Sequence, residues 1–184
     1  MHWDGSVWIS ASLPGFEPHS IWGASRDNVW AAGNGLFHWN GSAWSNLQNI
    51  PTARVVWGSA PTDVWEIGGN VEHWDGMAWS PASFPVSGGT IALVGFSSDD
   101  FWAAGEGLTS GFVDHWEGTT WRPSFTGMSS LIFYSLWGTG SRDIWAVGIC
   151  SRGTGCAYHW DGLMWTEYLL DGTAALQGVW GAVQ

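Results

Sequence analysis

Five histidines recur in one setting along the chain. His2, His38, His73, His115 and His159 each precede a Trp, then Asp, Asn or Glu, then Gly. Histidine close to a carboxylate is the usual equipment of acid–base and metal chemistry. The spacing argues against both uses here, because neighbouring copies lie 35 to 44 residues apart, one per repeat. A structure assembled from such repeats holds them apart rather than in one coordination sphere. They are therefore read as structural: buried imidazoles hydrogen-bonded to the turn beside them. His19, outside the pattern, has no identifiable partner. No Gly-x-Ser-x-Gly elbow, His-Glu-x-x-His helix, paired-cysteine zinc spacing or phosphate loop occurs, and there is no lysine to complete the last. Asp99-Asp100 reads as a solvated turn. No catalytic residue, metal or cofactor is expected.

The elements that carry these histidines form a repeat of about 40 residues. Residues 25–44 are the model unit: an Asx-Val-Trp step (Asn28, Val29, Trp30), a small-residue run to Gly33, then His38-Trp39-Asn40-Gly41 and Trp44. The step recurs at Asp63-Val64-Trp65, Asp100-Phe101-Trp102 and Asp143-Ile144-Trp145. Each is preceded by a further element, Ile21-Trp22-Gly23, Val56-Trp57-Gly58, Leu93-Val94-Gly95 and Leu136-Trp137-Gly138. All 18 tryptophans fall at repeat positions. A ligand site needs a few aromatic residues, whereas a set spread over every unit packs the core. Trp30, Trp65, Trp102 and Trp145, with His38, His73, His115 and His159, are accordingly assigned to structure.

Within a unit, short β-branched and aromatic runs bounded by Gly, Pro and Asp predict four strands. The Asx-Gly pair between the last two predicts a two-residue type I′ hairpin, and the Asx before the second strand an Asx turn. Antiparallel four-stranded units at this period predict an all-β propeller. Blades are placed at about 17–46, 52–81, 90–123 and 132–167. Residues 1–10 carry the back half of a unit and 175–184 a front element, so a fifth blade closed by both termini is expected, lacking one strand. A tolerated gap, a longer array or a neighbouring chain would each account for that strand.

The His-Trp-Asn-Gly-Ser-Ala-Trp turn at 38–44 resembles the Asp-box of bacterial neuraminidase repeats, and the whole unit is similar to extracellular bacterial propellers of the tachylectin type. The Asp-box's leading Ser is missing, with His at that strand end. The resemblance implies architecture, and such turns serve enzymes, lectins and scaffolds alike. Sialidase chemistry in that family needs three arginines around a carboxylate, a Tyr nucleophile and a Glu. The arginines here, at 26, 54, 122, 142 and 152, match no such context, so a hydrolase ranks a distant third.

A net charge of −11 without a basic cluster argues against nucleic acid and anionic membranes. No apolar run reaches membrane-span length, and the first residues are not a signal peptide. Cys150 and Cys156 flank a Gly-Thr-Gly tip, where a disulfide is feasible; with the sequon at Asn40, it points to a secreted protein.

Function is expected where repeats differ. The loops joining second to third strands, and those joining blades, emerge on one face. Two of the former are long, Glu106–Phe112 and Ile149–Cys156. Phe84, Phe112, Phe125, Tyr134, Arg152 and Tyr168 are the candidate ligand contacts, with aromatic rings suited to stacking on sugars. The leading expectation is non-enzymatic, lectin-like recognition of a glycan or cell-surface component. The alternative is assembly, with open termini pairing between subunits into an oligomer or filament.

Overall fold

The structure, a computed structural model, describes residues 2–3, 5–10, 13, 15–82, 88–150, 153–170 and 174–182. These form four antiparallel four-stranded blades and one short hairpin. The hairpin pairs β1 (His2–Trp3) with β2 (Trp8–Ile9). Blade one is β3 (Pro18–Ser25), β4 (Asn28–Gly33), β5 (Gly35–Trp39) and β6 (Trp44–Leu47). Blade two is β7 (Ala53–Ala60), β8 (Asp63–Gly68), β9 (Val71–Trp74) and β10 (Trp79–Pro81). Blade three is β11 (Gly88–Ser97), β12 (Asp100–Gly107), β13 (Ser110–Trp116) and β14 (Trp121–Ser129). Blade four is β15 (Ile132–Gly140), β16 (Asp143–Ile149), β17 (Gly155–Trp160) and β18 (Trp165–Leu169). Strand order in every blade follows the chain, and the first strands line up side by side from blade one to blade four.

The expected fifth blade is not formed. Residues 174–182 carry no strand, and β1 and β2 pair only with each other in a sheet of two. The terminal pieces have the repeat's sequence, but a blade needs them to meet, and that depends on the angle accumulated between blades.

The blade-end turns also depart from expectation. Trp39 pairs with Trp44, Trp74 with Trp79 and Trp160 with Trp165, so four residues, not two, lie between the strands. The Asx side chain sets this length by accepting two backbone N–H groups: Asn40 from Ser42 and Ala43 at 3.0 Å each, Asp75 from Met77 and Ala78 at 2.8 Å each. Only the glycine of each turn takes a positive φ, 92° at Gly41 and 95° at Gly76, whereas type I′ needs two such residues. The N–H donors hold the Asp75 carboxyl below its usual range.

Tryptophan joins the blades. The second-strand Trp of each of blades one to three points into the next: Trp30 lies 5.8 and 5.2 Å from the rings of Trp74 and Trp79, and Trp102 6.1 and 6.3 Å from Trp160 and Trp165. Trp65 meets Phe101 and Trp116 of blade three in the same way. On the opposite flank of the second strand, Val64, Phe101 and Ile144 are fully buried against the preceding blade. Each first strand has a bulge towards its start, holding His19, Arg54, Ile91 or Tyr134 out of the pairing register. No helix of the structure is long and apolar enough to cross a membrane.

Candidate functional site

The four motif histidines of the blades, His38, His73, His115 and His159, serve the scaffold through a partner other than the turn. Each Nε2 meets the Asx that opens the second strand: His38 and Asn28 at 2.9 Å, His73 and Asp63 at 2.7 Å, His115 and Asp100 at 2.8 Å, His159 and Asp143 at 2.7 Å. Each imidazole also packs on the Trp two residues after that Asx, with centroids 4.1, 4.3, 4.0 and 4.4 Å apart in chain order. In blades two and four the second bulge of the first strand adds a hydroxyl, Ser59 donating to Asp63 and Thr139 to Asp143. The Thr139 hydroxyl, with His159, holds the Asp143 carboxyl low. The blade-to-blade repetition of this Asx–His–Trp unit fits a staple for the blade's edge.

The predicted ligand contacts do not converge. Phe84 and Arg152 lie outside the described residues. Phe112 is buried in blade three, and Tyr134 is half-buried at the bulge of β15. Tyr168 is exposed and packs on Trp145 at 5.4 Å, on the flank of blade four that faces away from blade three. Phe125 alone sits in a crevice between blades, 5.5 Å from Phe133 and 4.9 Å from Tyr158. The Cys150–Cys156 disulfide closes the loop beside that crevice.

In blade one the two loop types meet on one face. The Asn34 side chain, between second and third strands, accepts from the Glu17 N–H at 3.0 Å and donates to the Gly15 carbonyl at 2.6 Å, tying both loop types together. Beneath this face the crevices differ in one pair of facing positions. Register aligns Ala31, Glu66, Ala103 and Ala146 on the second strand, and opposite them Phe37, Glu72, Asp114 and Tyr158 on the third.

Blade two is the exception that concentrates polarity. Glu66 is 1% exposed, replaces the small residue of the other blades, and has one carboxylate oxygen, Oε1, without a hydrogen-bond partner. It lines a cleft of about 40 Å³ with Asn49, Pro51, Thr52, Asn70 and Glu72. The backbone N–H of Arg54, held out of the ladder by the bulge, favours the ionised carboxylate. Burial nonetheless pushes the Glu66 carboxyl up to about 8, with the charge of Glu72 adding to the effect. In the next crevice Asp114 is 3% exposed and burial raises it to about 6, while the hydroxyl of buried Thr90 lacks a partner. Between blades three and four the group is Tyr158, whose hydroxyl donates to Glu167 at 2.5 Å beneath Phe125. Burial and Glu167 both raise that phenol.

A large groove, about 650 Å³, lies elsewhere, on the flank of blade one that faces away from blade two. It is the uncovered counterpart of the surfaces buried between the other blades.

Glu66, Glu72, Asp114 and Tyr158 were not singled out from sequence. The available signal was departure from the repeat: an acid where three copies have Ala, and four different residues at the facing position.

No protein-family model matches the chain, and no curated protein does. Solved structures do. YCF48 from Cyanidioschyzon merolae superposes with a TM-score of 0.66 at 16% identity, over 91% of this chain and 61% of its own. The extracellular domain of the one-component system BT4673 from B. thetaiotaomicron gives 0.68 at 12% identity, over 95% of this chain and 26% of its own. The fucose-specific lectin from Aleuria aurantia gives 0.62 at 17% identity, over 96% and 69%. The chain thus spans less than two thirds of YCF48. At these identities the likeness is one of fold, and that fold is the β-propeller.

Proposed function

We propose that this chain is a non-catalytic, secreted recognition module that takes hydroxyl-rich ligands, glycans of a cell surface, in the crevices of its loop face. The carrying observation is the buried Glu66 carboxyl with its free oxygen. A buried polar atom without a partner costs about 1–3 kcal/mol, and three sister blades avoid that cost with Ala. A ligand hydroxyl entering the cleft supplies the partner. A carboxyl that keeps its proton near neutral pH both donates to and accepts from such a hydroxyl, and the Asn49 and Asn70 amides line the same cleft. The cleft admits one hydroxyl or hydroxymethyl group, so the rest of the sugar lies against the loops above. The disulfide fits an oxidising compartment, and a fucose-specific lectin and an extracellular domain stand among the similar folds.

A printed glycan array probed with the wild-type chain and with Glu66→Ala tests this. A defined set of bound glycans, weakened at least about tenfold in the variant, is expected, with no fragments released on prolonged incubation. A blank array would remove the reading, and released fragments would make the protein an enzyme.

A further inference from the structure

Blade two sets two acids face to face with no cation between them. Glu66 and Glu72 are register partners on β8 and β9, and like charges directly opposite one another destabilise a sheet. Among the described residues, neither is in an ion pair. The other blades avoid the arrangement, with Ala31 facing Phe37, Ala103 facing Asp114 and Ala146 facing Tyr158. Acids buried in a fold are ordinarily balanced by a basic side chain or by a metal ion.

The surroundings supply oxygen and leave room for it. Glu66 is 1% exposed, and its Oε1 has no hydrogen-bond partner. With Glu72, Asn49, Asn70 and Thr52 it lines the cleft of about 40 Å³. Two adjacent glycines keep these oxygens uncrowded. A Cβ on Gly68 would lie 2.6 Å from Glu66 Oε1, and one on Gly69 would lie 2.9 Å from Thr52 Oγ1. Where blade two has Gly69, the other blades carry Asn34, Glu106 and Ile149. Two carboxylates, two amides and a hydroxyl make an all-oxygen donor set with no imidazole or thiol, which suits a hard cation. Calcium takes about six to eight oxygens in flexible geometry, whereas magnesium demands a near-ideal octahedron and sheds its water reluctantly.

We infer that this cleft is a binding site for a hard divalent cation of calcium's size. The carboxylates of Glu66 and Glu72 balance its charge, the Asn49 and Asn70 amide oxygens and the Thr52 hydroxyl add donors, and water completes the shell. The ion and a ligand hydroxyl contend for the same Oε1, and the cleft has room for one of them at a time. The ion site does not depend on the recognition reading, since its test contains no glycan.

Calorimetric titration of the metal-stripped full chain with calcium chloride tests this. Wild type is expected to bind one ion per chain with a Kd between about 0.1 and 1 mM, the range of extracellular calcium modules, and to melt at a higher temperature when calcium is added. Glu66→Gln and Glu72→Gln, each with an unchanged circular dichroism spectrum, should bind at least about tenfold more weakly and lose the calcium-dependent rise in Tm. Asp75→Asn controls for attraction by the net charge of −11. It removes an exposed acid from the same blade and installs the residue that blade one has at Asn40, so it should bind as wild type does. No saturable binding by wild type, binding unchanged in Glu66→Gln or Glu72→Gln, or an equal loss in Asp75→Asn would overturn the inference.

Discussion

Glu66 makes the stability of this protein depend on pH in a direction opposite to that of most paired carboxylates. Its folded value, about 8, lies above the ordinary 4.5, so the folded state holds the proton more tightly. Its contribution is fully present below about 4.5 and is lost as pH rises to about 8. Asp114 acts with the same sign in a lower window, from 3.8 to about 6. His38, whose partner is the neutral Asn28, is lowered by burial, so its contribution is lost as pH falls through the ordinary histidine range. Thermal melts should therefore show wild type losing stability between about pH 5 and pH 8.5. Glu66→Gln should flatten that loss and gain on the order of 3 kcal/mol at the upper end. A variant that melts in parallel with wild type across the range would show that Glu66 is not held neutral. None of this was visible in composition. Glu66 stands three residues after a repeat Asp and one after a repeat Trp, and reads as a surface acid until its strand is laid beside its three copies.

At the scale of elements, the repeat made the strands legible because each is bounded by residues with one local job. The turn lengths were not, since the Asx side chain takes two N–H groups that a two-residue loop would not offer. The partner of the histidines was likewise hidden, because it lies 10 to 16 residues away across a strand pair. The glycines of the first strands were legible as motif but not as mechanism, which lies in the neighbouring blade. Gly95→Ala places a methyl 2.3 Å from Trp57 and 2.5 Å from Phe101, and denaturant unfolding should show a loss of about 1–3 kcal/mol. Gly23→Ala, at the same repeat position with only a 3.2 Å contact to the Val29 side chain, should cost about 0.5 kcal/mol or less. Equal costs at the two sites would mean that the seat of Gly95 on Trp57 does not join the blades.

The whole molecule is an array of four blades whose repeated parts hold it together and whose unrepeated parts lie in the crevices. Counting motifs suggested five blades because the terminal pieces share the motif. Whether they meet is decided by the sum of inter-blade packing, which no single stretch encodes. Aromatic residues outside the pattern were sought as ligand contacts, yet Phe112 is buried in blade three, and of the described candidates Phe125 is the one that borders a crevice between blades. Recognition through the Glu66 cleft is the central claim, and calorimetric titration of the best-bound glycan, at about pH 5.5 and about pH 9, tests it most directly. The neutral carboxyl shares hydrogen bonds with a ligand hydroxyl, whereas the ionised one beside Glu72 must shed water to do so. Affinity in wild type should fall about tenfold or more at the higher pH, and in Glu66→Gln it should stay level. Equal wild-type affinities at both values, or a parallel fall in Glu66→Gln, would contradict a binding site built on Glu66.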